Sequence, residues 1–512
     1  MRNTILEIIS ALLIYIILKK LHSLYINRKN SKVKDEIIIG TSYFFILMIF
    51  LLLMWPGAWS NDDITILKNA SVYNFTPWHH FFSGLFQILC LQTIPIPSGV
   101  MIIQILISSL IVGYCISNVS ALYGKSKKQI RIIQVVLGLI TLFPPLILYI
   151  LSGFRMGMYS YFELLLIIKL IILYKEKKEI NFDELIKISF LTIIISCWRT
   201  EGFYYPFFIL ILYFILGKKV ISKKTAIISF FIIIVVNFSI GKINNLMIGN
   251  NDYSLSATME GITSLVENSD ETDKEELEEI NKVVDVEFIK NNPDMLSEDV
   301  YKTIGVVRDY TEEEYFNYMK SYAKLALKYP DVLFKSLWKM FVKAGSGFGE
   351  NSKQTTHNMV VNNYSFAPDL YEIGTNAWRM WNGVTSRVSK YKVAFNTEIR
   401  NNVIYFLNGS DSGKNLTIIH NIFWNLFIPF TLILICLAYK LIKKDWFMVI
   451  LMLTIFTRVL LVFATAPAPY FMYYLSAYLC SYIIAAIVII EVIIKLFDRC
   501  LMLGEGTSEK II

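Results

Sequence analysis

Long apolar runs alternate with short, lysine-rich polar joints along most of this chain. The runs fall at about 5–20, 36–55, 99–121, 131–151, 158–174, 185–198, 203–217, 224–241, 417–439, 446–466 and 470–496. A helix crossing a bilayer core needs roughly 20 apolar residues, so the pattern predicts an all-α polytopic membrane protein with about eleven transmembrane helices. The runs 185–198 and 203–217 are short, and a single broken unit would also accommodate them. Residues 78–95 are apolar too, but His79, His80, Gln87 and Gln92 interrupt them, which fits a helix lying at the membrane interface. The first run lacks a small-residue cleavage site and is expected to remain as a helix.

The joints carry the orientation signal. One set holds Lys19, Lys20, Arg28, Lys29, Lys32 and Lys34, then Lys125, Lys127, Lys128 and Arg131, then Lys175, Lys177 and Lys178. It continues with Lys218, Lys219, Lys223 and Lys224, and with Lys440, Lys443 and Lys444. The alternate joints hold little basic charge beyond Lys68, Arg155 and Arg199. Cytoplasmic loops are enriched in Lys and Arg, which predicts a plasma-membrane protein with the first set inside. Four parts follow. Residues 1–241 form an N-terminal membrane module with its first large outer loop at 56–98. Residues 242–415 form an extracytoplasmic, mainly helical domain, 416–497 the closing spans and 498–512 a cytoplasmic tail.

In the exported segment, "TEEEY" places Glu314 three residues after Thr311, a capping-box pattern. That helix is expected to end at Pro330, and a second amphipathic helix to stop at Gly345, with Trp338 and Phe341 as packing residues. The glycines of "GSGFG" lack a preceding strand and a following Lys-Ser/Thr, which argues against a phosphate loop.

Composition sharpens this in two respects. Charged residues make up 18% of the 512, against about 25% in soluble proteins. The net charge of +8 resides in the joints, and no basic-aromatic surface suits a nucleic acid. The six cysteines lie in or beside apolar runs, with no metal-ligand spacing and none in 242–415. An exported domain without disulfides fits a bacterial surface better than a eukaryotic lumen.

Candidate chemistry gathers at the expected outer face. After the second run, "WPGAWSNDD" combines a Pro56-Gly57 turn, Trp55 and Trp59 suited to the interface, and the adjacent acids Asp62 and Asp63. A turn at headgroup depth would aim these carboxylates at a lipid phosphate. There a carboxylate can act as a general base on a hydroxyl, or hold a divalent cation. As an ordinary polar loop the stretch needs no such role. His79 and His80, beside Trp78, fit either interfacial anchoring or contact with a phosphate or sugar hydroxyl. In "SCWRTEGFYYP", Arg199 and Glu201 can pair with each other, or Arg199 can grip two phosphate oxygens with its fork. Arg155 lies at the outer mouth of its run. Arg458 and Glu163 lie within apolar runs at similar depth, where charges are costly. A structural ion pair and a functional role are both open for them. Lys169 is expected to snorkel towards the inner face.

Taken together, an acidic motif in the first outer loop, an interfacial helix, many spans and a late exported segment resemble the GT-C superfamily of polytopic glycosyltransferases that use polyprenyl-phosphate-linked sugars. "WPGAWSNDD…WHH" is similar to bacterial envelope proteins with a Pro-Gly turn, a Ser-x-Asp and a His-His pair. "WRTEGFYYP" looks like an Arg-x-Glu-Gly segment between short spans, and "APAPYFMYYLSAY" resembles a closing aromatic motif that lacks its usual Arg. The likeness covers about two-thirds of the chain and leaves 242–415 unmatched. It implies transfer of a sugar to an envelope glycan, lipid or protein, with Asp62 as the base. Asp63 would be a second acid or metal contact, and Arg199, Arg155 and Arg458 would neutralise the leaving phosphate. A polysaccharide polymerase or ligase would instead lean on Arg379, Arg387 and Arg400 of the outer segment. A lipid-linked sugar flippase would line its path with Arg458 and Glu163. An assembly protein would tolerate single changes at all of these positions.

Overall fold

The computed structural model describes residues 2–59, 61–76, 79–248, 254–293, 295–345, 394–411 and 415–508. Helices α1 (Arg2–Ile26) and α2 (Ser31–Leu53) lead into two short helices, α3 (Asn61–Ser71) and α4 (Phe81–Thr93). Then come α5 (Pro97–Tyr123), α6 (Lys127–Thr141), α7 (Pro144–Ile150), α8 (Arg155–Glu176), α9 (Phe182–Trp198), α10 (Tyr205–Leu216) and α11 (Lys223–Ile248). A polar unit follows with α12 (Met259–Asn268), α13 (Lys274–Asn281), α14 (Val286–Asn291), α15 (Ser297–Lys302), α16 (Glu312–Lys328) and α17 (Pro330–Gly345). The chain closes with α18 (Thr397–Asn408), α19 (Ile418–Phe423), α20 (Phe427–Ile442), α21 (Trp446–Thr465) and α22 (Leu475–Ser508). The one two-stranded sheet among the described residues is antiparallel, Ser410–Asp411 against Asn415–Leu416, and isolated bridges join Ala58 to Ser152 and Val284 to Val307.

Among the described residues, eight helices are long and apolar enough to cross a membrane. The pair α6 and α7, bent by 62°, makes nine if taken as one span. The expectation of about eleven is therefore not reached by this measure. The difference falls on α9 and α10, of 17 and 12 residues, which pack on each other across a tight turn at Thr200–Gly202. Helix α4, at 13 residues, is too short to span.

Burial separates a central helix from a lipid-type periphery. Helix α8 packs on α5, α9 and α22 and buries most of its length. On α11, Ile228, Phe231, Val235 and Phe238 stay exposed, as expected of a helix facing acyl chains rather than water.

The helices define two ends. At one, Lys440, nearly fully buried, meets Asp445 at 2.9 Å and Glu491 at 3.1 Å, and Lys175 reaches Glu491 at 3.2 Å. This network joins α8, α20 and α22. Lys169 turns to the same end and pairs with Glu184 at 2.8 Å rather than reaching open solvent. The opposite end carries the loop after α2, the α7–α8 and α9–α10 joints, and residues 466–474. The Tyr149 ring stacks on Phe471 there, and Arg199 lies 5.4 Å from the Tyr473 ring.

The polar unit sits on this second end. Its core joins Ile262, Leu265 and Val266 of α12 to Ile280, Ile289, Val300 and Tyr318. The Thr311–Glu314 capping box forms, α16 stops just before Pro330, and α17 runs to Gly345, beyond which residues 346–393 lie outside the described residues. Phe341 is buried against Phe427, Phe430 and Tyr474, whereas Trp338 is 43% exposed and stacks on Phe334. A hydrogen bond from the Tyr470 hydroxyl to Glu298, 2.6 Å, ties α15 to the bundle.

Candidate functional site at one end of the bundle

The acid turn is anchored inside the protein. Gly57 adopts φ +102°, a left-handed conformation that favours glycine, and its N–H donates to Met54 O at 2.8 Å. Ala58 N donates to Leu151 O at 2.8 Å, and Gly153 N donates to Ala58 O at 3.3 Å, so the loop lies along the α7–α8 joint. The fully buried Arg400 donates to Gly57 O at 2.8 Å. Trp55 stacks on Phe395 with ring centres 5.0 Å apart, and the Trp59 indole donates to Pro56 O at 3.2 Å. Trp55 and Trp59 are therefore buried, not spread at the headgroup level as the sequence suggested, because the loop folds back over 150–153 instead of standing open. Trp78 lies outside the described residues.

Asp62 and Asp63 begin the first turn of α3, where a helix N-terminus favours negative charge. Asp63 is 1% exposed. The Asp62 side chain lies outside the described residues. Gly153 explains how Asp63 fits: a Cβ at 153 would come 2.7 Å from Asp63 Cβ and 2.8 Å from the Trp59 ring. Gly153→Ala is thus expected to cost about 1–3 kcal/mol, the usual penalty of overpacking, measurable as a lower unfolding temperature in detergent. An unchanged temperature would show that the joint relaxes freely.

His80 is the N-cap of α4: its Nδ1 accepts from Phe82 N at 3.3 Å, which leaves the ring proton on Nε2. Burial, then the nearby Arg155 guanidinium, lower its pKa from 6.5 to about 4. His79 is lowered too, by burial first and then by Arg155 and Arg199. A depressed histidine pKa means that the unfolded chain takes up a proton that the folded chain refuses. The contribution of His80 to stability is complete above about pH 6.5 and is lost as pH falls towards about 4. His80→Asn keeps a capping acceptor and is expected to flatten part of this acid limb in a melting-temperature profile, leaving the part due to His79. An unaltered profile would refute the assignment.

Arg199 grips Glu201 with two hydrogen bonds, Nε to Oε2 at 2.8 Å and Nη2 to Oε1, and its Nη1 faces the Met156 sulfur at 3.1 Å. Burial raises the Glu201 pKa, but the Arg199 charge and its hydrogen bonds outweigh that and hold the group ionised. Arg458 and Glu163 are both fully buried, 3.8 Å apart, with Tyr159 accepting from Arg458 and Tyr205 donating to Glu163. Both ion pairs form. Arg155 starts α8 and is half-buried near His79 and His80. Arg379 and Arg387 lie outside the described residues.

Arg155 also lines a small pocket with Ile66, Ser83, Phe86, Gln87, Gln104, Gly153, Met158 and Trp198, a cavity of about 10 Å³ with room for one water molecule. Ile66 lies one helical turn beyond Asp63, and Gly153 abuts Asp63 directly, so pocket and acid share a wall. Of these polar residues, Gln87 was legible only as an interruption of an apolar helix. Gln104 stood as an amide inside a long apolar run, which is the signal that could have marked it.

A divalent cation finds no ready cage: no three His, Cys, Asp or Glu side chains converge among the described residues. Asp62 and Asp63 remain the pair that would hold one. No family model, curated protein or solved structure matches this chain.

Proposed function

We propose that the protein is a membrane glycosyltransferase that moves a sugar from a polyprenyl-phosphate-linked donor to a cell-envelope acceptor. In this reading the lysine joints face the cytoplasm, the acid end faces outward, and the short α9 and α10 complete about eleven passes in a GT-C-like arrangement. The observation that carries it is the meeting of α3, α4 and α8 at one end. The turn bearing Asp62 and Asp63 shares a wall with the pocket that Arg155 lines, and Arg155 stands near His79 and His80.

The chemistry balances with these groups. The acceptor hydroxyl attacks the anomeric carbon and gives its proton to Asp62. The bond from that carbon to the phosphate oxygen breaks, and polyprenyl phosphate leaves with the electron pair. Arg155 would stabilise the departing phosphate, since positioned charge at a developing anion is usually a large catalytic term. Arg199, already held by Glu201, and Arg458, held by Glu163, then act as positioning residues, a narrower role than the phosphate contact expected of them.

The donor's fate in proteoliposomes tests the reading. With envelope extract present, the donor is expected to be consumed and polyprenyl phosphate to appear. Donor crossing the bilayer intact would replace this reading with a flippase.

A further inference from the structure

Helix α17 carries an exposed aromatic stripe to the place where the polar unit meets the spans. Its C-terminal end is fixed at the start of α20, where Leu426 N donates to Gly345 O at 2.7 Å. Phe427, in the first turn of α20, lies 5.2 Å from Phe341 and 5.7 Å from Trp338 between ring centres. Phe463, in the last turn of α21, lies 6.0 Å from Phe334. Phe341 is buried in this contact, but Phe334 and Trp338, one helical turn apart, are 57% and 43% exposed. The stripe continues into the spans. Leu460 lies one turn along α21 from Phe463, and Leu434 two turns along α20 from Phe427, and both are exposed. On spanning helices such faces meet acyl chains.

Charge follows the same stripe. Lys335 and Lys339 come one position after each exposed ring and are themselves exposed. Lys335 meets Asp331 at 3.0 Å, a solvent-facing pair of little worth. Lys339 has no ion pair among the described residues. Aromatic rings flanked by lysines are the make-up of a helix lying in the membrane interface, and tryptophan settles at headgroup level. A soluble partner would have to displace lipid to reach this stripe, because it runs without a break into lipid-facing sides of α20 and α21. We infer that α17 is an interfacial anchor. The Phe334 and Trp338 rings enter the bilayer surface, and Lys335 and Lys339 meet the phosphates of anionic phospholipid. The anchor holds the polar unit down on the membrane at the end that carries the acid turn, and it does not depend on the glycosyltransferase reading.

The test uses the full chain in nanodiscs of phosphatidylcholine and phosphatidylglycerol. Trp338→Phe keeps a ring against Phe341 and Phe427, so the fluorescence difference between wild type and this variant isolates Trp338. That difference is expected to lose most of its intensity when the phosphatidylcholine is brominated in the upper acyl chain, and to resist acrylamide in the water. Phe334→Trp in the Trp338→Phe background, measured against that background, is expected to behave in the same way. Replacing Lys335 and Lys339 together with Glu is expected to reduce the quenching of Trp338 by brominated lipid and to open it to acrylamide. Quenching by acrylamide but not by brominated lipid at positions 334 and 338 would show that the stripe faces water, and the inference falls. Shielding from both quenchers would show that protein covers it, from this chain or a second copy, and would overturn the inference equally. Unchanged quenching in the lysine variant would remove the phosphate contact.

Discussion

Asp62→Asn, at unchanged membrane abundance, lowers sugar transfer by about 10²–10⁴-fold, the range that a positioned general base contributes. The substitution keeps the shape and most hydrogen bonding of the side chain and removes its basicity. Asp63→Asn reports on a different function. Asp63 is almost fully buried against Gly153, so its loss is expected to depress both transfer and thermal stability. Purified variants assayed for glycosylated product, with melting curves beside them, separate the two. Undiminished product from Asp62→Asn removes Asp62 as the base. If Asp63→Asn alone abolishes transfer with its melting curve intact, the roles of the two acids are exchanged.

The second large effect is on stability. Arg458→Met leaves the fully buried Glu163 carboxyl without its cationic partner, beside Tyr205 and the α8 core. Breaking one partner of such a pair costs about 3–5 kcal/mol, whereas replacing both with apolar residues is often neutral. Arg458→Met is therefore expected to unfold much earlier in detergent, and the double variant Arg458→Met with Glu163→Met to recover most of the loss. Recovery of stability without recovery of transfer would give the pair a positioning role in addition. Two single variants that both melt like wild type would show that no such pair forms in the folded protein.

The helical architecture was legible because bilayer thickness imposes a strong constraint on sequence. Runs such as 99–121 and 446–466 map directly onto α5 and α21. The shorter runs at 185–198 and 203–217 became helices, but their lengths fall below a full span, so a count from apolarity alone overstates what helix length supports. The capping box at Thr311 was readable because its partners lie three residues apart. The site was legible only in part, since it depends on contacts between distant segments. Arg400 bonding Gly57 joins positions 343 residues apart, and nothing local signals it. Trp55 and Trp59 misled for the same reason: an interfacial and a buried tryptophan look alike until the loop's partner at 150–153 is known. Nothing in the local sequence marks Gly153, though Asp63 and Trp59 both lie close against it.

The most direct measurement is a mass balance on purified wild-type protein given a panel of polyprenyl-phosphate sugars and envelope extract. The account predicts that, for one sugar, polyprenyl phosphate and glycosylated acceptor appear in equal amounts. Intact donor throughout, with every sugar and with extract present, would contradict it.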